Sequence, residues 1–276
     1  MKSLLKPTVA LAGALAIGLA GTATAATTML DPFTESELDA SWVADRAFPT
    51  DGVESIEAFG RTDVARLGID SNQTAPGTFQ RTEGIKSATA DNFGSTVQVD
   101  LYVDPAWEDT ATRAGLWVVG DDGAGNRDNL FGIVEFVNLE TSTSGDSAQA
   151  DHTGWRIWDS TTGWTNVDAD HTYGEWVTLT ITLDTTAGMY SYAIDGEDVG
   201  TAVGGTHYVR EVFLNSYNYG LDTFPTLENG SYAAHWHAGL NEVDDRDQCV
   251  DGSWEELGFR NQGQCIRFVN TGVDTR

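Results

Sequence analysis

Aromatic side chains are concentrated in one short segment, GWRIWDSTTGW at residues 154–164, which holds three of the nine tryptophans. An indole face exposed in a groove stacks on the C–H face of a sugar ring, a contact that suits neutral glycans. Because side chains alternate along a strand, Trp155 and Trp158 cannot share a face, so at least one belongs to the core. We predict that Trp158 or Trp164 is exposed. Four other tryptophans are predicted core residues, since tryptophan is mostly buried: Trp42, Trp107, Trp117 and Trp176.

Polar side chains that alternate with apolar ones supply a second set of candidates. If the apolar residues of each segment face a core, the polar residues between them line an outer surface. We expect these outward side chains to assemble into one concave groove of polar and aromatic groups. The ligand contacts predicted for that groove are Trp158, Trp164, Tyr102, Asn215, Tyr217 and Tyr219.

The same groove could instead catalyse proton transfer in a lyase reaction. A lyase acting on uronate polymers neutralises the carboxylate with Arg or an amide, while His and Tyr move the proton. The candidate catalytic residues on this hypothesis are Arg156, Tyr217, His235 and His237. The ordinary alternative is that both histidines are hydrogen-bonded strand residues and that Arg156 pairs with one of 42 acidic side chains.

Carboxylates are abundant but poorly spaced for glycoside hydrolysis. Retaining hydrolases need two carboxyl groups about 5–5.5 Å apart, which residues two apart on a strand can provide. Glu135 and Asp100 stand alone in their segments, and Glu37-Leu38-Asp39 has no third carboxylate nearby. The spacing therefore argues against a hydrolase.

An acidic turn offers oxygen ligands for calcium. Asp121, Asp122 and Asp128 lie within nine residues, although they do not fit the twelve-residue loop of helix-loop-helix calcium sites. A solvated turn is the alternative, and we expect no required cofactor, with structural calcium as the one optional ion. Phosphate-cradling and dinucleotide-binding motifs are missing from the sequence.

The first 25 residues have the pattern of a secretory signal peptide. Lys2 and Lys6 precede an apolar stretch from Val9 to Ala20, and Ala23-Thr24-Ala25 provides a cleavage site near Ala25. We therefore predict a secreted, extracellular protein without membrane insertion. The pair Cys249 and Cys265 is then expected to form a disulfide, since secreted proteins meet an oxidising environment.

The strongly negative net charge argues against a nucleic-acid partner. The 276 residues carry a formal net charge of −27, and residues after Ala25 carry 13 basic and 42 acidic groups, a net charge of −29. Such a surface repels phosphate backbones, so we expect no nucleic-acid partner. Lys86 is the only lysine after Lys6. An acidic, lysine-poor surface is typical of adaptation to salt, because salt screens its self-repulsion.

Short alternating segments predict an all-β fold. Residues 97–104, VQVDLYVD, alternate strictly between apolar and polar side chains, and similar runs recur up to residue 237 between turns rich in Gly, Asp and Asn. Many short strands at this spacing indicate an antiparallel two-sheet jelly-roll sandwich. We place the domain boundaries at residues 1–25 for the signal, 26–243 for the sandwich and 244–276 for a disulfide-clipped tail.

The segment GEWVTLTITLDTTAGMYSYAIDG, residues 174–196, resembles a hairpin of the concanavalin A-like lectin/glucanase and laminin-G families. The resemblance extends loosely over about 210 residues and implies the fold, whereas proteins of this fold range from lectins to hydrolases and lyases. The pattern Cys249-x4-Trp-x3-Gly-Phe through Cys265 resembles a short C-terminal motif of secreted bacterial proteins.

Three functions follow from these patterns. Recognition of an extracellular polysaccharide or other glycan is the leading hypothesis. A lyase of the same fold is the second, and a structural or adhesive surface protein is the third. The oligomeric state stays open.

Overall fold

The computed structural model describes residues 27–70, 82–139, 152–217, 232–238, 249 and 261–271. The predicted signal peptide, Tyr219 and most of the predicted tail lie outside these residues. In the described part of the chain, fifteen strands follow in order: β1 (Thr27–Met29), β2 (Trp42–Ala44), β3 (Val53–Ala58), β4 (Arg61–Ile69), β5 (Thr82–Ser87), β6 (Thr96–Val103), β7 (Thr112–Asp121), β8 (Arg127–Leu139), β9 (His152–Asp159), β10 (Gly163–Val167), β11 (Glu175–Asp184), β12 (Met189–Ile194), β13 (Glu197–Val203), β14 (Val209–Tyr217) and β15 (Tyr232–His237).

The strands form two sheets. One sheet has the order β13-β12-β11-β6-β15-β4-β3, with β1 beside β6 as its eighth strand. The other has seven strands in the order β10-β9-β8-β7-β14-β5-β2. Among the described strand pairs, all are antiparallel except β1 with β6. The chain crosses repeatedly between the sheets, and the predicted antiparallel jelly-roll sandwich is confirmed.

The alternation predicted for residues 97–104 decides which face of β6 is buried in the core. Val97, Val99, Leu101 and Val103 point between the sheets and are at most 2% exposed. Their neighbours on β11, from Val177 to Leu183, repeat the pattern in register, with Leu179 opposite Val99. Full burial of such a side chain contributes about 1.5–3 kcal/mol, so the in-register alternation fixes the pairing of the two strands.

Helical structure is short and peripheral in the described residues. Helix α1 (Glu35–Ser41) begins at Thr34, whose side chain accepts a hydrogen bond from the Glu37 amide. A 3-10 helix covers Pro105–Asp109 and buries Trp107, while α2 (Gln262–Thr271) lies in the predicted tail. Among the described residues no helix has the length and apolarity needed to cross a bilayer.

The predicted disulfide between Cys249 and Cys265 is confirmed, and both cysteines are fully buried. Cys265 lies in α2, so the bridge attaches this helix to residue 249. The proposed boundary between residues 243 and 244 falls outside the described residues and stays a prediction.

Candidate functional site

Strand register builds an apolar row across the outer face of the seven-stranded sheet. The pairing places Phe213 of β14 opposite Trp117, Trp117 opposite Ile133, Ile133 opposite Trp158, and Trp158 opposite Trp164. Neighbouring strands lie about 4.8 Å apart, so the row from β14 to β10 spans about 19 Å. Its members form a hydrophobic cluster separate from the main core.

Trp158 and Trp164 are the outermost members of this row. Their rings meet edge to face with centroids 5.1 Å apart, and both side chains are partly exposed. The Tyr192 hydroxyl donates a 2.9 Å hydrogen bond to the Trp158 carbonyl and thereby ties β9 to the opposite sheet. Trp155, which alternates with Trp158, is fully buried in the core, as the spacing requires.

A polar row runs beside the apolar one. Asn215 lies opposite Gly115, Gly115 opposite Glu135, and Glu135 opposite Arg156. A Cβ atom on Gly115 would stand 2.3 Å from the Glu135 Cβ, so this glycine makes room for the carboxylate side chain. Gly84 similarly makes room for Asn215, whose Oδ1 would be 2.2 Å from an added Cβ.

Glu135 is the centre of a buried ion-pair network. Its Oε1 accepts a hydrogen bond from Arg156 Nε at 2.7 Å and forms ion pairs with Arg113 Nε and Arg156 Nη2, each at 2.6 Å. Glu135 is 1% exposed and Arg156 is fully buried. Both guanidinium groups lie against the Trp164 ring, 4.9 Å (Arg113) and 4.0 Å (Arg156) from its centroid. Cation–π contact therefore holds one face of Trp164 against the sheet.

A second arginine-aromatic unit lies farther along this face. Asp45 Oδ2 accepts a hydrogen bond from Asn215 Nδ2 at 3.2 Å and forms an ion pair with Arg46 Nη2 at 2.6 Å. The Arg46 guanidinium stands 5.0 Å from the Trp117 ring centroid. Burial lowers the Arg46 pKa; the charge of Asp45 opposes this shift, whereas the charges of Arg113 and Arg127 add to it. These arginines therefore share one electrostatic environment.

The predicted site residues do not form one groove. Arg156, Trp158, Trp164, Asn215 and Tyr217 lie on this outer face, with Tyr217 beneath the Arg113 guanidinium at 5.4 Å. Asn215 and Tyr217 are buried, 2% and 6% exposed, so they shape the face from beneath.

Tyr102, His235 and His237 lie on the other side of the sandwich. They belong to β6 and β15 of the eight-stranded sheet and alternate with core residues such as Trp236, so they face outward there. A catalytic set of Arg156, Tyr217 and either of these histidines therefore cannot assemble within one chain. The prediction of one shared groove was wrong because alternation fixes the face of a residue but not the sheet to which its strand belongs.

The outer face of the eight-stranded sheet has its own polar cluster. Asp100 accepts hydrogen bonds from Arg61 and from Thr178 Oγ1 at 2.6 Å, and Arg61 Nη1 lies 3.1 Å from His237 Nδ1. Burial opposes ionisation of Asp100, but hydrogen bonds from His237, Thr178 and Arg61 outweigh it and lower the Asp100 pKa. Burial also lowers the pKa of His235. His237 thus contacts Arg61, as the ordinary alternative expects, whereas His235 Nδ1 is buried without a hydrogen-bond partner among the described residues.

Three of the four predicted core tryptophans are buried, and the fourth, Trp176, is not. Trp42 and Trp107 are in the main core. Trp117 is 6% exposed but packs in the outer cluster of the seven-stranded sheet. Trp176 is partly exposed on the opposite outer face, where Arg61 covers its ring at 4.4 Å. Stacked arginines and neighbouring rings thus cover both indoles outside the main core, where Trp117 is buried and Trp176 stays partly exposed.

In the acidic turn proposed for calcium, two carboxylates accept hydrogen bonds from neighbouring protein groups. Asp121 accepts hydrogen bonds from the Gly123 amide and from Arg210, and Asp122 accepts them from the amides of Ala124 and Asn126. Burial and the charges of Asp121 and Asp122 raise the pKa of Asp128. Within the described ranges, no three His, Cys, Asp or Glu side chains group as metal ligands. The calcium site stays a prediction.

Sequence reasoning missed Arg113, Asp45 and Arg46, and it treated Glu135 as isolated. Arg113 and Glu135 do alternate with apolar residues in their strands, which is a signal for an outward position. Their convergence depends on the pairing of β7, β8 and β9, which the local pattern does not contain.

Comparisons with known proteins concern the fold. No family model and no curated protein matches the sequence. Similar solved structures include a β-glucanase from Bacillus licheniformis, with 12% identity, coverage of 72% of this chain and 89% of that one, and a TM-score of 0.42. A glycoside hydrolase family 16 endo-glucanase from Bacteroides ovatus has 13% identity, coverage of 71% of this chain and 93% of that one, and a TM-score of 0.44. For β-agarase B from Zobellia galactanivorans the identity is 12%, the coverage is 78% of this chain and 90% of that one, and the TM-score is 0.43. Likeness at this level transfers no activity and no site residue to this chain.

The protein is an all-β jelly-roll sandwich whose two outer faces each carry a distinct cluster of aromatic and charged side chains.

Proposed function

We propose that this chain is a secreted carbohydrate-binding protein that holds an extracellular glycan at Trp158 and Trp164. The observation that carries the proposal is the partly exposed edge-to-face pair of indoles at the β9–β10 margin of the seven-stranded sheet. Paired indoles at an angle offer two adjoining apolar surfaces, which suits the C–H faces of sugar rings.

The surroundings of the pair support binding by a rigid surface. Arg113 and Arg156 fix Trp164 from beneath, and the Tyr192 hydroxyl fixes the Trp158 backbone. A side chain that is already immobile loses little conformational entropy when a ligand binds. Asn166, exposed and opposite Arg156 in the strand register, offers an amide for hydroxyl groups of a sugar placed over Trp164.

Affinity electrophoresis through gels containing single polysaccharides tests the proposal. We expect at least one polysaccharide to retard the protein, and Trp158→Ala and Trp164→Ala to weaken that retardation by about thirtyfold, as for a central tryptophan in an interface. Phe48→Ala is the matched control, because Phe48 is an exposed aromatic residue (56%) outside the indole pair. Thermal unfolding of each variant separates lost binding from lost folding.

Two outcomes contradict the proposal. If no polysaccharide in the panel retards the protein, a structural or adhesive role replaces glycan binding. If incubation produces the ultraviolet absorbance of unsaturated sugars, the chain is a lyase, and its catalytic groups must then differ from the predicted combination of Arg156 with His235 or His237.

Secretion is part of the proposal and has its own test. The supporting observation is the pattern of residues 1–25. Expression with and without this segment, followed by N-terminal sequencing of the exported protein, is expected to show cleavage near Ala25. Export of the chain lacking residues 1–25 would contradict the assignment.

A further inference from the structure

Basic side chains are concentrated on the outer face of the seven-stranded sheet. Six of the eight basic residues whose side chains the structure describes lie on this face: Arg46, Lys86, Arg113, Arg127, Arg156 and Arg210. In a chain with a net charge of −27, most of the described cations are thus gathered on one face, where the arginines pair with carboxylates.

In three ion pairs of this face the arginine side chain is more exposed than the carboxylate that it contacts. Side-chain exposure is 17% for Arg46 against 6% for Asp45, 35% for Arg127 against 11% for Glu211, and 19% for Arg210 against 2% for Asp121. In each of these three pairs the arginine side chain is the partner that is more accessible to solvent.

On the opposite sheet the order differs between ion pairs, since Asp100 is more buried than Arg61, with side-chain exposures of 7% and 18%. Arg66 contacts Glu54 at 2.8 Å, and there the carboxylate is the more exposed partner, 53% against 31% for the arginine. An arginine that is more exposed than its carboxylate therefore recurs on the seven-stranded sheet but is not confined to it.

Aromatic rings lie between these cations. The Arg127 guanidinium stands 5.3 Å from the Phe213 ring, and Arg46 covers Trp117. Lys86 lies opposite Phe213 in the strand register, at the far end of the apolar row that ends at Trp164. One surface thus presents sugar-stacking rings at one margin and oriented cations across the remaining strands.

We infer that the glycan bound at this face is a polyanion, an extracellular polysaccharide with carboxylate or sulfate groups that contact Arg46, Arg127 and Arg210. The inference rests on the proposed function and names its ligand class. Planar guanidinium groups bind carboxylate and sulfate oxygens in bidentate geometry, so arginine suits both. The acidic remainder of the protein repels such a polymer and confines its contact to this surface.

Matched polysaccharides that differ in charge test the inference. Calorimetric titration compares dextran with dextran sulfate, methyl-esterified pectin with polygalacturonate, and agarose with carrageenan. We expect the charged member of at least one pair to bind at least about tenfold more tightly than its neutral counterpart, and this preference to diminish as salt is added. A preference for dextran sulfate or carrageenan identifies sulfate, and one for polygalacturonate identifies carboxylate.

Two arginine variants connect the preference to this face. Arg127→Gln is expected to weaken binding of the charged polysaccharide about tenfold or more. Arg66→Gln is the control, because Arg66 has nearly the same exposure and also pairs with a glutamate, but lies on the opposite sheet. Arg210→Gln repeats the test at a second position in case Arg127→Gln unfolds, which thermal unfolding reveals.

The possible failures are distinguishable. Equal binding of charged and neutral members, with loss on Trp164→Ala, overturns the polyanion inference and preserves glycan binding. Equal effects of the Arg127 and Arg66 variants, or no effect of the Arg127 and Arg210 variants, overturn the assignment to this face. Absence of binding to every polysaccharide overturns the inference and the proposed function together.

Discussion

Replacement of Glu135 by glutamine tests the buried network most directly. The change keeps the size and planarity of the side chain and removes one negative charge. Three guanidinium nitrogens of Arg113 and Arg156 lie 2.6–2.7 Å from the same oxygen, Oε1. Glutamine can still accept at this oxygen, so the substitution isolates the contribution of charge from that of packing.

The expected loss follows from burial. Glu135 is 1% exposed and Arg156 is fully buried, so the two guanidinium groups lose the charge that balances them away from water. Removing one partner of a buried ion pair costs about 3–5 kcal/mol. A domain of this size shifts its melting temperature by about 2–4 °C per kcal/mol, so we expect a decrease of about 6–20 °C for Glu135→Gln.

Thermal and urea unfolding with Glu54→Gln as the control measure this effect. Glu54 also pairs with an arginine, but its side chain is 53% exposed, so its loss is expected to cost less than about 1 kcal/mol. If Glu135→Gln destabilises the protein no more than Glu54→Gln does, the network does not depend on the Glu135 charge, and the argument from burial is refuted.

Three further predictions concern stability. Asp159 accepts hydrogen bonds from the amides of Thr161, Thr162 and Val203. Burial opposes ionisation of Asp159, but these hydrogen bonds and one from the Thr161 hydroxyl outweigh burial and lower the Asp159 pKa from 3.8 to about 2. Its stabilisation is therefore complete above about pH 4 and is lost as the pH falls through about 2, and acid titration of the unfolding free energy should show a shallower decline for Asp159→Asn. Molar salt should raise the unfolding midpoint by screening a net charge of −27, and an unchanged midpoint would argue against salt adaptation. The Cys249–Cys265 disulfide closes a short loop and contributes about 3 kcal/mol. Its reduction should accelerate amide hydrogen exchange in α2. Unchanged exchange would show that other contacts hold the helix.

The fold could be predicted from the sequence because its signal is local. The alternation in β6 and β11 assigns each side chain to the core or to the outside, and burial energy then selects two stacked sheets. The opposite faces of Trp155 and Trp158 follow from the same rule. Pairing of Cys249 with Cys265 follows from the predicted compartment and the presence of only two cysteines.

The site could be predicted only in part. Arg156, Trp158 and Trp164 are near one another in sequence, and adjacent strands keep them together. Asn215 contacts Asp45, 170 residues away, and His235 lies on the opposite sheet from Tyr217 although only 18 positions separate them. Such contacts depend on strand order, which is set by packing between distant segments.

By itself, the sequence determined the strand content, the inward or outward direction of most side chains and the acidic character of this protein. These properties depend on alternation and composition, which act over a few residues or over the whole chain. Only the tertiary structure decided which outward residues share a surface, and that Glu135 is enclosed by Arg113 and Arg156 beneath Trp164. The reason is that hydrogen bonding between strands tolerates many orders and registers, and the final choice is made by the packing of both sheets at once.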